Sequence, residues 1–462
     1  MKQFILIILT CTLAMMGCQK QNEWLDAKRQ QSDIVPESLD DFQAILDNSS
    51  MNTTFPAMGQ LGADNYYFPD DNLGVISNTE RNSYIWAKDI FEDAPSVEYT
   101  ACYQIVGPAN IVLEGLASIK IDASNLEYHN SIKGQALFFR SNMFLELASV
   151  FCKPFDASTA ATDLGICVRT KSNINEITPR SSVQHAYDQI INDLKLAATL
   201  LPAFQSHKTR PSKPAAFALL ARSYLLTGDF VNARQYADST LRYMNGLLDF
   251  NSNTISISKP YRFPDFLSGN DEIIFYAYAV GNSAATPNDG LNHAFVDSTL
   301  YDSYDSNDLR KIYFYNVTSS GKPKFRGTYA GIGRNFAGIA TNEVYLIRAE
   351  CNARLNNLPE AISDLNVLLE KRFRTDTYSP FYTTNVDTAL VRILKERRKE
   401  LPFTGQIRWQ DLRRLNKDIR FAKTLTRKVN GVLYQLSPND KKYVYPFPKN
   451  EIEYTGIQQN ER

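Results

Sequence analysis

The sequence predicts a mostly α-helical protein in which tetratricopeptide-like helical hairpins form a scaffold, with loop-rich insertions and a few short strands. Two stretches carry that expectation. Residues 341–372 read as two short helices around a break at Asn356-Asn357-Leu358-Pro359, and Pro359 suits the first turn of the second helix. Val344, Tyr345, Ile347 and Ala349, then Ala361, Ile362, Leu365, Leu368 and Leu369, recur at helical spacing. Residues 214–243 repeat the layout. Phe217, Ala221 and Ala233 have the spacing of Tyr345, Ala349 and Ala361, and Gly228-Asp229 falls where Asn356-Asn357 does. One such hairpin cannot bury its apolar face alone, so copies should stack into one body.

Taken in order, residues 1–17 read as a lipoprotein signal peptide. Lys2 is followed by a short apolar run and then by Gly17-Cys18, which resembles a bacterial lipobox. Cys18 is the expected lipidation site, with plain secretion as the alternative. Residues 18–38 form the lipidated cysteine and a polar tether, and 39–462 a single domain. Residues 40–46 begin a helix. Residues 51–82 are rich in Asn, Gly, Pro and Asp without a sustained period and read as a long loop. An antiparallel helix pair is expected over 97–117 and 125–151, a further helix over 182–201, and the first repeat hairpin after it. An irregular insertion fills 247–340, with one strand over 272–278, where the sequence alternates and is β-rich. Asp387 or Thr388 can cap a helix running to Leu401, with Gly405 as its stop. The tail Tyr443-Val444-Tyr445-Pro446-Phe447-Pro448 should lie extended across the body.

Composition excludes some functions. The chain has 462 residues, with Lys plus Arg at 50 and Asp plus Glu at 50, so no basic excess is available for nucleic acid. No nucleotide-, metal- or serine-hydrolase fingerprint is present, and nothing pairs Asp64, Asp70 or Asp71 with a second acid as a glycosidase would require. No cofactor, no metal and no catalysis are expected. Asp302, Asp305, Asn307 and Asp308 offer oxygens without EF-hand spacing and read as turn formers. Beyond the leader, Cys152 and Cys167 flank a loop-like stretch and are a candidate disulfide in an exported protein, whereas Cys102 and Cys351 sit in helical patterns as buried thiols.

Several ordered motifs then carry a resemblance. Glu23-Trp24-Leu25-Asp26 follows Cys18. Tyr103-Gln104-Ile105 leads to Ala109-Asn110-Ile111-Val112-Leu113. Arg348-Ala349-Glu350 opens the second hairpin. The run from Glu396 to Asn416, ERRKELPFTGQIRWQDLRRLN, is the most specific, and Tyr445-Pro446-Phe447-Pro448 with Glu451 and Gln459-Asn460 closes the set. Together they resemble the SusD/RagB family of Bacteroidetes outer-membrane lipoproteins, with Thr404 standing where the family often has Glu. The resemblance implies a cell-surface protein, anchored to outer-membrane lipid. It would capture an oligosaccharide for a SusC-like TonB-dependent transporter. A peptide ligand, as in RagB-like relatives, or a scaffold without a nutrient ligand are the alternatives.

Sugar binding requires flat aromatic faces against C–H surfaces, with amides, carboxylates and guanidinium groups for the hydroxyls. The candidates are Asp64, Asn65, Tyr66, Tyr67 and Trp86 in the segment near 51–96, and Tyr276, Tyr278, Tyr301, Tyr304 and Arg310 near 247–340. Aromatics that pin loops to the helical body are the competing expectation. Glu396, Arg397, Glu400, Arg408, Asp411 and Arg414 read as a structural ion-pair network.

Overall fold

The computed structural model describes residues 36–462 apart from 268, 283, 285 and 288–291, so Cys18 and most of the expected tether lie outside the described residues. The larger helices are α1 Leu39–Leu46, α2 Met58–Gly62, α3 Asn78–Tyr84, α4 Val97–Gly115, α5 Leu126–Phe151, α6 Val183–Leu200, α7 Lys213–Thr227, α8 Phe230–Tyr243, α9 Thr341–Arg354, α10 Leu358–Glu370, α11 Val386–Glu400, α12 Ile407–Leu415 and α13 Lys449–Thr455. Short strands are β1 Tyr66–Tyr67, β2 Leu164–Cys167, β3 Arg180–Ser182, β4 Ile273–Phe275, β5 Phe295–Val296, β6 Tyr315–Val317, β7 Pro323–Phe325, β8 Ile339–Ala340, β9 Leu425–Val429 and β10 Val432–Leu436.

Helices α4 to α10 stack in chain order, each on the one before, and α11 closes on α9. The insertion between α8 and α9 therefore leaves the stack uninterrupted, because α8 packs directly on α9. The two repeat turns are alike. Gly228 (φ +81) and Asn356 (φ +61) both adopt the left-handed conformation, and Asp229 and Asn357 start the following helices. Ala221, Ala233, Ala349 and Ala361 are fully buried, so a methyl is all that fits where the helices of each hairpin meet.

The segment 51–82 departs from the expected loop. Met51, Phe55, Met58, Leu61, Tyr66 and Phe68 are buried, and α2 and α3 interrupt it. Its backbone donors find partners outside the segment: the Glu98 carboxylate accepts from Ala57 N at 2.6 Å and from Met58 N. The N-cap of α11 is Asn385, which accepts from Thr388 N, and α11 ends at Glu400 while Phe403 (φ +57) and Gly405 (φ +45) make the turn into α12. The strand at 272–278 shortens to β4, paired with β8. Cys152 and Cys167 are free buried thiols. The β9–β10 hairpin was not anticipated, although Asn430-Gly431 at its tip (φ +47 and +81) is a strong hairpin signal.

Buried ion pairs fasten the insertion to the helices. Arg310, fully buried, meets Asp308 at 2.7 Å, Glu396 at 2.6 Å and Glu400 at 3.1 Å. Arg372 bridges Glu272 (2.6 Å) and Glu400 (2.8 Å), and Lys399 reaches Asp308 (3.0 Å) and Glu396 (3.1 Å). Arg414 joins Glu350 (2.6 Å) to Asp411 (2.8 Å); against the cost of burial, its charge holds Glu350 down at about 2.

Arg310→Ala leaves Asp308, Glu396 and Glu400 competing for Lys399 and Arg372, and should destabilise the protein by about 3–5 kcal/mol, seen as a lower denaturant midpoint. Glu98 supplies a pH test. Burial raises its carboxyl from 4.5 to about 7 even though Ala57 and Met58 donate to it. Between those values the folded state keeps a proton that the unfolded chain has released, so this group favours the fold progressively as pH falls from 8 to 5. Glu98→Gln should therefore show a smaller loss of melting temperature than the wild type on going from pH 5 to pH 8. Parallel profiles would contradict this.

Candidate functional site

The two loop-rich segments meet through the antiparallel pairing of β1 with β5, Tyr66 opposite Val296 and Tyr67 opposite Phe295. Successive residues of a strand face opposite sides, and the pairing separates the neighbouring tyrosines. Tyr66 points inward, where its hydroxyl donates to Leu61 O at 2.7 Å and its ring packs on Phe68 and Tyr84. Tyr67 stays half-exposed, with its ring 5.9 Å from the half-exposed ring of Phe295. Strand β7 lies beside β5, and Lys322 Nζ and Lys324 Nζ sit 5.1 and 5.5 Å from the Phe295 ring centre. Asn72 Nδ2 donates to His293 O at 2.7 Å and ties the following turn to the same edge. Burial, then the neighbouring Tyr84 and Asp297, raises the Tyr67 phenol above its ordinary value, so it stays a neutral donor.

Most of the other expected site residues are used inside the fold. Asp64 accepts from Arg408 Nε at 2.6 Å and meets Lys423 Nζ at 2.8 Å. Burial opposes its charge, but Arg408 and Arg398 hold the carboxyl well below the usual range. Asn65 is buried and accepts from Arg398 Nε at 3.0 Å. Trp86 is buried, donates from Nε1 to Gly62 O at 3.0 Å, and lies under the Arg427 guanidinium. Tyr276 is buried with its hydroxyl donating to Ala330 O at 2.6 Å. The Tyr304 hydroxyl donates to Lys399 O at 2.7 Å and stands 2.9 Å from the Tyr315 hydroxyl, and Arg310 is the centre of the ion network. In this conformation these groups already have partners and present no free face to a ligand.

Three expected aromatics stay half-exposed: Tyr67, Tyr278 and Tyr301. Tyr301 ends the helical turn Ser298–Tyr301 that follows β5, with Lys311 Nζ 4.8 Å from its ring centre. Tyr278 belongs to a different edge, where it exchanges main-chain hydrogen bonds with Asn52 and Phe55. The Asp302–Asp308 stretch is a turn: Asn307 N donates to Asp305 Oδ1 at 2.8 Å, and the Asp308 carboxylate is committed to Arg310 and Lys399. Phe295, Lys322 and Lys324 were not anticipated. The only sequence hint was the isolated aromatic in Ala294-Phe295-Val296, too short to read as a strand.

The helical stack thus carries, on its loops, a surface rim of Tyr67 and Phe295 with Lys322 and Lys324 beside it. The comparisons give the family. Residues 23–225 match a SusD-like family model described as starch-binding and associating with the outer membrane, and residues 275–461 match the SusD family model. A SusD-like protein P2 of Formosa agariphila is 25% identical over 376 residues, covering 69% of this chain and 71% of that protein. A SusD superfamily protein of Bacteroides thetaiotaomicron has the same fold, with a TM-score of 0.74 at 22% identity over 92% of this chain and 100% of that one. A SusD-like carbohydrate binding protein of Bacteroides vulgatus gives 0.69 at 20% identity, over 91% and 97%. The chain belongs to the SusD/RagB family, whose members are outer-membrane-associated nutrient-binding proteins and not enzymes. No helix among the described residues is long and apolar enough to cross a membrane.

Burial separates the roles of the two aromatics that sequence reasoning grouped. Trp86→Ala should cost about 3–5 kcal/mol through the cavity it opens, whereas Tyr67→Ala, at a half-exposed position, should cost less than about 1.5 kcal/mol. Equilibrium denaturation of both variants checks this; equal losses would mean that Tyr67 is a packing residue.

Proposed function

We propose that this protein captures an oligosaccharide at the rim formed by Tyr67 and Phe295 and passes it to a SusC-like TonB-dependent transporter in the outer membrane. Its leader is residues 1–17, lipid on Cys18 anchors it at the cell surface, and 39–462 act as one domain. The observation that supports this reading is the β1–β5 pairing, which sets two aromatic rings side by side at the surface while their chain neighbours are buried. Tilted rings at the surface offer C–H-complementary faces. Lys322 and the Tyr67 hydroxyl offer donors for sugar hydroxyls or acidic substituents, and Lys324, whose Nζ donates to Asn292 O at 2.7 Å, adds positive charge beside the Phe295 ring. Tyr301, half-exposed on the helical turn that follows β5, is a further aromatic for the rim. The buried ion pairs hold the loops in place before ligand arrives, which lowers the entropic cost of binding.

The test is a retention screen of the soluble chain starting after Cys18 against immobilised polysaccharides and peptides, with reducing ends assayed in parallel. One glycan class should be retained without cleavage. Tyr67→Ala and Phe295→Ala should each weaken retention about tenfold, with little change in melting temperature. Release of reducing ends would overturn the binding reading. Capture of peptides alone would replace the glycan with a peptide, and capture of only a transporter barrel would leave a scaffold.

A further inference from the structure

A second opening lies away from this rim, between α4, α13 and the loop 169–178. It is open to solvent on one side and offers about 320 Å³, within the range of small-ligand sites, about 300–1,000 Å³. One face of α4 forms its floor: Tyr99, Tyr103 and Gly107 follow each other at one-turn intervals, with Thr100 and Gln104 beside them. Glu451 and Tyr454 line it from α13. Ile174 and Ile177, 78% and 54% exposed, stand on the loop, and Tyr454 is 67% exposed.

The walls are built. Asn110 Nδ2 donates to Arg169 O (2.9 Å) and Lys171 O (3.1 Å), and Ser172 N donates to Glu114 Oε1 at 3.1 Å, so the loop is fastened to α4. Tyr103 donates to Cys167 O at 2.9 Å. The floor is also kept open. A side chain at 107 would have clear space above it, and the residue before Pro108 keeps helical geometry most readily without a Cβ. Pro108 has no N–H to return to the Gln104 carbonyl, and Gln104 itself lines the groove. The Glu451 carboxyl is desolvated and raised, with the Tyr99 hydroxyl and the Arg169 charge beside it.

The geometry points to a second ligand site in this groove, taking one sugar ring, with the C–H face against Tyr454, Ile174 and Ile177 and the hydroxyls on Gln104 and Glu451. This rests on the glycan reading above. Two sites on one lipid-anchored chain would hold a polysaccharide at two points, so that release from the rim does not mean loss from the surface.

The experiment is saturation-transfer NMR on the chain starting after Cys18, using the methyl glycosides of glucose, galactose, mannose, xylose and rhamnose as probes. At least one should receive saturation. That signal should persist in Tyr67→Ala and be roughly tenfold weaker in Tyr454→Ala and in Ile177→Ser, both at exposed positions that leave the fold intact. Absence of transfer from every glycoside, an unchanged signal in both groove variants, or loss of the signal in Tyr67→Ala alone would overturn the second site. Retention of a polysaccharide through Tyr67, with no groove signal, removes this site only. Retention of no glycan by the wild type removes the glycan reading as well.

Discussion

The structure depends on carboxylates and guanidinium groups paired away from water. Glu400 sits at the centre, accepting from Arg310, Arg372 and Asn342. Through it, the end of α11, the start of α9, the residues after α10 and the insertion are held to one point. Each of these charges costs several kcal/mol to desolvate, and the cost is offset only when all partners are present in good geometry. Such a network gives registry more than it gives net stability. It allows one arrangement of the loops on the stack and penalises others by leaving a charge unpaired.

That constraint shapes the loop surface. The segments rich in aromatic residues have a core of their own, formed among others by Phe250, Phe263, Tyr304, Phe314, Tyr315 and Phe325. Anchoring the loops consumes most of their rings and polar side chains, so what reaches the surface is a narrow rim. The rim proposed for ligand is therefore held by the same buried pairs that fix the loops on the stack.

The helical stack was largely legible in the sequence. Helical periodicity and the aligned positions Phe217/Tyr345, Ala221/Ala349 and Ala233/Ala361 are local signals, and local signals determine hairpins. The ion network was legible as a motif from Glu396 to Asn416, though its partners Glu272, Arg310 and Arg372 were not. Arg310 and Tyr304 looked like ligand contacts because a guanidinium and a phenol have the same composition whether they face a sugar or a buried carboxylate. The segment 51–82 looked like a loop because its apolar residues answer to neighbours far along the chain, without helical or strand period.

The sequence by itself determined the repeat hairpins, their turns at Gly228 and Asn356, and the balance of charge that argues against nucleic acid, because each follows from residue type and short-range spacing. Tertiary structure alone decided which aromatics are available. Tyr66 and Tyr67 are adjacent and chemically identical, and the pairing of β1 with β5 sends one into the core and leaves the other beside Phe295. The physical reason is that strand register is a long-range contact, and a shift of one residue exchanges the inner face for the outer.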